Sequence, residues 1–95
     1  MNLILPIGSV VKIRDVKNPV MIYGFLQQSA SKPGLVVDYV GVPYPFGNVN
    51  ISMQLGFQMT DITEVLFEGY RTEAFKPMEN LLLIRESLHK AEGNV

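Results

Sequence analysis

Asp38 stands inside the apolar run LVVDYVGV, with Tyr39 beside it and Tyr44 a few positions on, and these are the side chains with most scope for chemistry. A carboxylate in apolar surroundings is the kind of group that serves as a general acid or base, and in a cavity with two phenols it would suit a small enzyme or ligand-binding barrel. The competing reading is structural: the carboxylate is paired with Lys or Arg, or bonded to the backbone amides of a turn. No base, nucleophile or metal partner accompanies Asp38 at a recognisable spacing, so the structural reading is preferred. His89, the one histidine, adjoins Lys90 in a terminal helical stretch and reads as a solvated side chain. No cluster of His, Asp and Glu has a metal-ligand spacing, and the absence of cysteine removes disulfides, thiolate metal sites and a cysteine nucleophile together. GSVVK lacks the length and ending of a phosphate loop, and GVPYPFG lacks a basic residue. The expectation is a protein that is not an enzyme and takes no cofactor or metal.

The elements that must position these residues follow from length, composition and period. With 95 residues, 47% of them hydrophobic, the chain fits a single domain over 1–95, with a sheet region at about 5–72 and a C-terminal helix at about 76–92. Eight Lys and Arg are scattered singly among nine Asp and Glu, for a net charge of -1, which argues against nucleic acid as a partner. The N-terminal MNLILPIGSVV has no basic residue before its apolar run and is broken by Pro6 and Gly8, so neither a signal peptide nor a membrane anchor is expected. A reducing compartment fits the lack of cysteine.

SVVKIR (9–14) alternates Val11 and Ile13 with Lys12 and Arg14, predicting a half-buried strand. The turn-rich DVKNP then leads into VMIYGFL (20–26), a second strand apolar on both faces, with Val20, Ile22 and Leu26 on one side and Met21, Tyr23 and Phe25 on the other. Gly24 marks a bulge or bend in it. QQSASKPG (27–34) reads as a loop and Leu35–Val42 as the third strand.

DYVGVPYPFGN (38–48) continues from that strand. Pro43 and Pro45 predict an extended segment that is not fully paired, with Tyr44 and Phe46 on one side and Gly47 turning the chain. The two rings either finish the core at a sheet corner or form an aromatic ledge for a partner. NVNISM (48–53) is expected to return as a fourth strand. Asp61 and Glu64 have capping-box spacing, predicting a short helical turn, followed by a last strand through EVLFEGY with Val65 and Phe67 inward. In FKPMENLLLIRESLHKAE (75–92), Pro77 suits a helix start, and Leu81, Ile84, Leu88 and Ala91 recur at helical spacing. Met78, Leu82 and Leu83 widen this stripe, which either caps the open end of a barrel or leaves leucines for a partner or a second copy. Glu86 and Lys90 are spaced for a surface pair, and Gly93-Asn94 for a stop.

Three segments in this order, LPIGSVVKI (5–13), DYVGVPYPFGN (38–48) and FEGY (67–70), resemble the bacterial family known as domain of unknown function 4176. The matching positions are Leu5, Pro6, Gly8 and Ser9; Asp38, Tyr39, Gly41, Pro43, Tyr44, Pro45 and Gly47; and Phe67, Glu68, Gly69 and Tyr70. Their glycines and prolines shape backbone, which leaves Tyr44, Phe46 and Tyr70, with Leu83 on the helix, as candidate partner contacts. Phe46 departs from the polar or acidic residue usual there in the family. The resemblance implies a setting in type VII secretion loci of Gram-positive bacteria, beside toxins with an LXG domain and small helical targeting proteins. It implies a cytoplasmic chaperone or adaptor that binds such a toxin or its targeting partner before export.

The expected architecture is α+β: a strongly bent antiparallel sheet or open barrel of about five strands, with a short helical turn and one C-terminal helix. An immunity protein against a co-encoded toxin is the rival within protein binding, and the dispersed acids favour the adaptor. The Asp38-centred barrel is the rival from another class, and a homodimer through the helix is a third possibility.

Overall fold

The computed structural model describes residues 4–29 and 32–93, with helix side chains described as far as Leu88. The fold is α+β. Five strands, β1 (Val10–Ile13), β2 (Val20–Gln28), β3 (Val36–Pro43), β4 (Leu55–Phe57) and β5 (Ile62–Phe67), form one open antiparallel sheet, followed by α1 (Lys76–Gly93). The strand order is β4-β3-β2-β1-β5. One face of the sheet gathers Leu5, Val11, Ile13, Val20, Ile22, Tyr39 and Phe57 into the core. In β1 the alternation holds: Val11 and Ile13 are buried, while Lys12 and Arg14 are exposed.

β2 departs from simple alternation. Its register against β3 shifts between Ile22 and Gly24, leaving Tyr23 as an extra residue, and this bulge turns Phe25 toward the core. Phe25 then packs on Tyr39, with ring centroids 5.9 Å apart, and on Phe75, 5.6 Å away. Phe25 therefore shares the core face with Val20 and Ile22, against the expected grouping with Met21 and Tyr23.

The connection after β3 differs most from the sequence expectation. Residues 43–47 turn at once, the Gly47 amide donating to the Pro43 carbonyl at 2.8 Å, so Pro43 to Phe46 is a tight turn and not an extended run. Gly47 has φ 79°, which its missing Cβ permits. The strand expected at 48–53 is absent, and a 3-10 turn occupies Ile51–Met53. The Asn50 side chain accepts from the Ser52 amide at 3.0 Å, and this local bond outcompetes a ladder partner. The fourth strand starts later, at Leu55.

Asp61 closes a short helical turn where it was expected to start one. Its carboxylate accepts from the Gln58 amide at 2.9 Å over the 3-10 turn Met59–Asp61, and β5 begins at the next residue. β5 carries two register shifts against β1, and neither residue of the expected inward pair is buried: Val65 is 37% exposed and Phe67 62%.

The helix occupies the expected span and turns only part of its apolar stripe inward. Leu82 is buried, Leu83 is half-buried, and Leu81, Ile84 and Leu88 are exposed at 50%, 59% and 59%. Of the two readings of this stripe, Leu81, Ile84 and Leu88 follow the one that leaves them uncovered. Asn94 and the side chains of His89, Lys90 and Ala91 lie outside the described residues.

Candidate functional site

Asp38 is where the sequence placed its strongest hint of chemistry, and the fold occupies both of its oxygens. Arg85 Nη1 donates to Oδ1 at 2.9 Å, and the Met59 amide donates to Oδ2 at 2.7 Å. Both kinds of partner anticipated for the structural reading are present. Arg85 also donates to the Val36 carbonyl at 2.6 Å, so one guanidinium fastens α1 to β3. The two side chains are only 19% and 13% exposed, which limits solvent screening of the pair.

Tyr39, next in sequence, is fully buried. Its hydroxyl accepts from the Leu5 amide at 3.2 Å, tying the N-terminal segment to the sheet centre. Burial pushes the phenol up to about 12; the bond from Leu5 works against this, and the nearby Asp38 carboxylate adds to it. A phenol held so strongly neutral, with its oxygen engaged, is a structural strut. Among the described residues, no group of three His, Asp or Glu converges to hold a metal ion.

The motif glycines act through close approach. A Cβ at Gly69 would overlap the Ile7 carbonyl oxygen, and one at Gly41 would overlap Val20 and sit 2.8 Å from the Met21 carbonyl. Gly69 donates to Ser9 Oγ at 2.9 Å, and that hydroxyl donates to the Pro6 carbonyl at 2.8 Å. With Pro6 buried and Gly8 at φ 92°, the segments around LPIGS and FEGY form a single interlock. Arg71, which the sequence did not single out, reinforces it. Its guanidinium reaches the Ile4 carbonyl at 2.8 Å, Glu79 at 2.9 Å and Glu68 at 3.0 Å, and lies over the Phe75 ring. A lone arginine between an exposed strand and a helix carries no spacing signal for such a hub.

The exposed aromatics are a separate matter. Tyr44, Phe46 and Tyr70 are 47%, 64% and 87% exposed, so the rings after Pro43 do not finish the core. No charged residue occurs from Tyr39 to Thr60, and the connection inside this stretch also exposes Val49 and Ile51. Tyr44 further borders an apolar concavity of about 550 Å³ formed with Val10, Pro19, Met21, Leu66 and Phe67. The DYVGVPYPFGN and FEGY segments therefore meet at this surface. A second concavity, of about 570 Å³, lies over Gly24 and Gly56 and is bordered by Gln27 and Gln54. Leu83 is half-buried and joins neither surface.

The profile of the family described as Domain of unknown function (DUF4176) matches residues 4–78, which covers the interlock, the Asp38 strand and the aromatic turn. The chain belongs to this family. Searches of curated proteins and of solved structures returned no match. The DUF4176 region ends at Met78, so Leu81, Ile84 and Leu88 lie beyond it. Within the region, the motif residues divide into buried struts, such as Pro6, Asp38, Tyr39, Gly41 and Gly69, and exposed rings, such as Tyr44 and Tyr70. No described helix is long and apolar enough to cross a membrane.

Proposed function

We propose that this chain is a non-enzymatic, cytoplasmic protein-binding accessory: a chaperone or adaptor that holds an LXG-type toxin, or its small helical targeting protein, for type VII secretion. The observation that carries the binding part is the uncharged connection between β3 and β4, which holds Tyr44, Phe46, Val49 and Ile51 in solvent, with Tyr44 at the border of the apolar concavity. Exposed apolar groups gathered in one place lose free energy in water and gain it when a partner covers them. Aromatic rings on a short, proline-bound turn are already ordered, so little conformational entropy is lost on docking. The secretion setting rests on the family resemblance. The occupied oxygens of Asp38 weigh against catalysis at that position.

The test is co-expression of the tagged chain with the toxin encoded beside it, followed by affinity purification. Stoichiometric recovery, reduced at least tenfold by a Phe46→Asp, Ile51→Asp double variant of unchanged melting temperature, is the expected result. Recovery of the chain alone would overturn the adaptor reading. Binding confined to the toxin's C-terminal domain, with protection of cells from it, would replace it by immunity.

A further inference from the structure

The described part of α1 is arranged opposite to an ordinary surface helix. From Pro77 to Leu88 its exposed residues are Pro77, Asn80, Leu81, Ile84, Ser87 and Leu88, and none carries a charge. The charged side chains of the same stretch turn inward or sideways: Glu79 to Arg71 at 2.9 Å, Arg85 to Asp38 at 2.9 Å, and Glu86 half-buried. A helix meant to face water carries its charges outward and its aliphatic residues inward. Here the sheet takes Leu82 and the ion pairs, and water is left with three large aliphatic side chains.

We infer that the outward face of the C-terminal helix, centred on Ile84, pairs with the same face of a second copy of this chain. The spacing of Leu81, Ile84 and Leu88, three and then four residues, is that of the narrow seam along which two helices interlock, so a helix is the occupant that fits it. Charges flanking such a seam select the partner. The flanks here are Asn80 and Ser87 on the solvent side, and Arg85 on the sheet side is withdrawn into its bonds with Asp38 and Val36. A partner helix with charged flanks would find no counter-charge, whereas an identical face brings none to be matched. Ile84 lies mid-seam, so it meets its own copy in parallel pairing and lies nearest the two-fold axis in antiparallel pairing. The seam from Leu81 to Leu88 covers about 10 Å of helix, which makes the association concentration-dependent and not permanent. It uses a different surface from the β3–β4 connection, so either contact can fail without the other.

Sedimentation equilibrium of the full chain from about 10 μM to about 1 mM reads the outcome directly. The weight-average mass is expected to climb from 10.6 kDa toward twice that value, and to be unchanged by molar salt because no ion pair lies in the seam. Ile84→Asp, at a position exposed in the monomer, should keep the melting transition and weaken association at least tenfold. Mixing Ile84→Asp with Ile84→Lys should restore the doubled mass, since the two charges then face each other. A mass that stays at 10.6 kDa throughout the range overturns the inference, as does a dimer indifferent to Ile84→Asp.

Discussion

Tyr39 and Tyr44 belong to one motif, and the protein uses them in opposite ways. Tyr39 is fully buried, bonded to the Leu5 amide and packed against Phe25 and Phe57. Tyr44 is 47% exposed and borders an apolar concavity. Between them Gly41 lets β2 and β3 approach closely, and Pro43 ends the ladder. A few residues thus carry the chain from a fully buried position to an exposed one. A phenol is amphipathic, so it is its backbone's place in the sheet, and not its chemistry, that decides between strut and contact.

The comparison breaks most visibly at Asp38. Asp38→Ala leaves Arg85 without its carboxylate and the Met59 amide without an acceptor, and should destabilise the fold by roughly 3 kcal/mol. Urea unfolding followed by circular dichroism measures this, and loss of an activity with unchanged stability would instead indicate catalysis. Tyr39→Phe removes one buried acceptor and should lose about 1–2 kcal/mol in the same assay. The corresponding Tyr44→Phe change, at an exposed hydroxyl, should alter stability by less than about 0.5 kcal/mol. Equal effects at the two tyrosines would remove the distinction.

Titration sharpens the same contrast. The Tyr39 phenol ionises at about 12 in the folded protein against 10.0 as its ordinary value, so the unfolded state gives up this proton first as pH rises. The contribution is fully present below about pH 10 and is lost progressively as pH rises from about 10 to 12. Absorbance titration at the tyrosinate band should therefore show one of the four tyrosines ionising late, and Tyr39→Phe should abolish that late step. The smallest effect on stability is expected at an exposed ring of the β3–β4 connection. Phe46→Ser should change it by less than about 0.5 kcal/mol, measured by thermal melting, while weakening partner binding.

Much of the fold was legible because its signals are local. The β1 alternation, the β1–β2 hairpin, the bulge at Gly24 and the span of the helix all follow from period, turn residues and glycine. The need for a partner at Asp38 was legible too, as a charge in an apolar strand, although its partner's identity was not: Arg85 is remote in sequence, and no spacing rule links the two. The strand expected at 48–53 failed because Asn50 caps a turn, a bond whose outcome depends on whether a neighbouring strand is in reach. The inward direction assigned to Val65 and Phe67 failed for a related reason, since two bulges interrupt the alternation on which it relied.

The sequence by itself determined the α+β class, the family and which helix residues share a stripe. The tertiary structure decided which way that stripe points and which tyrosine becomes the strut. Periodicity states only that residues lie on a common face. Which face meets the core is set by contacts between distant segments: Arg85 on Asp38, Phe75 on Phe25 and Arg71 on the Ile4 carbonyl. Those contacts turn the helix so that Glu79 and Arg85 are paired inside and Leu81, Ile84 and Leu88 are left facing outward.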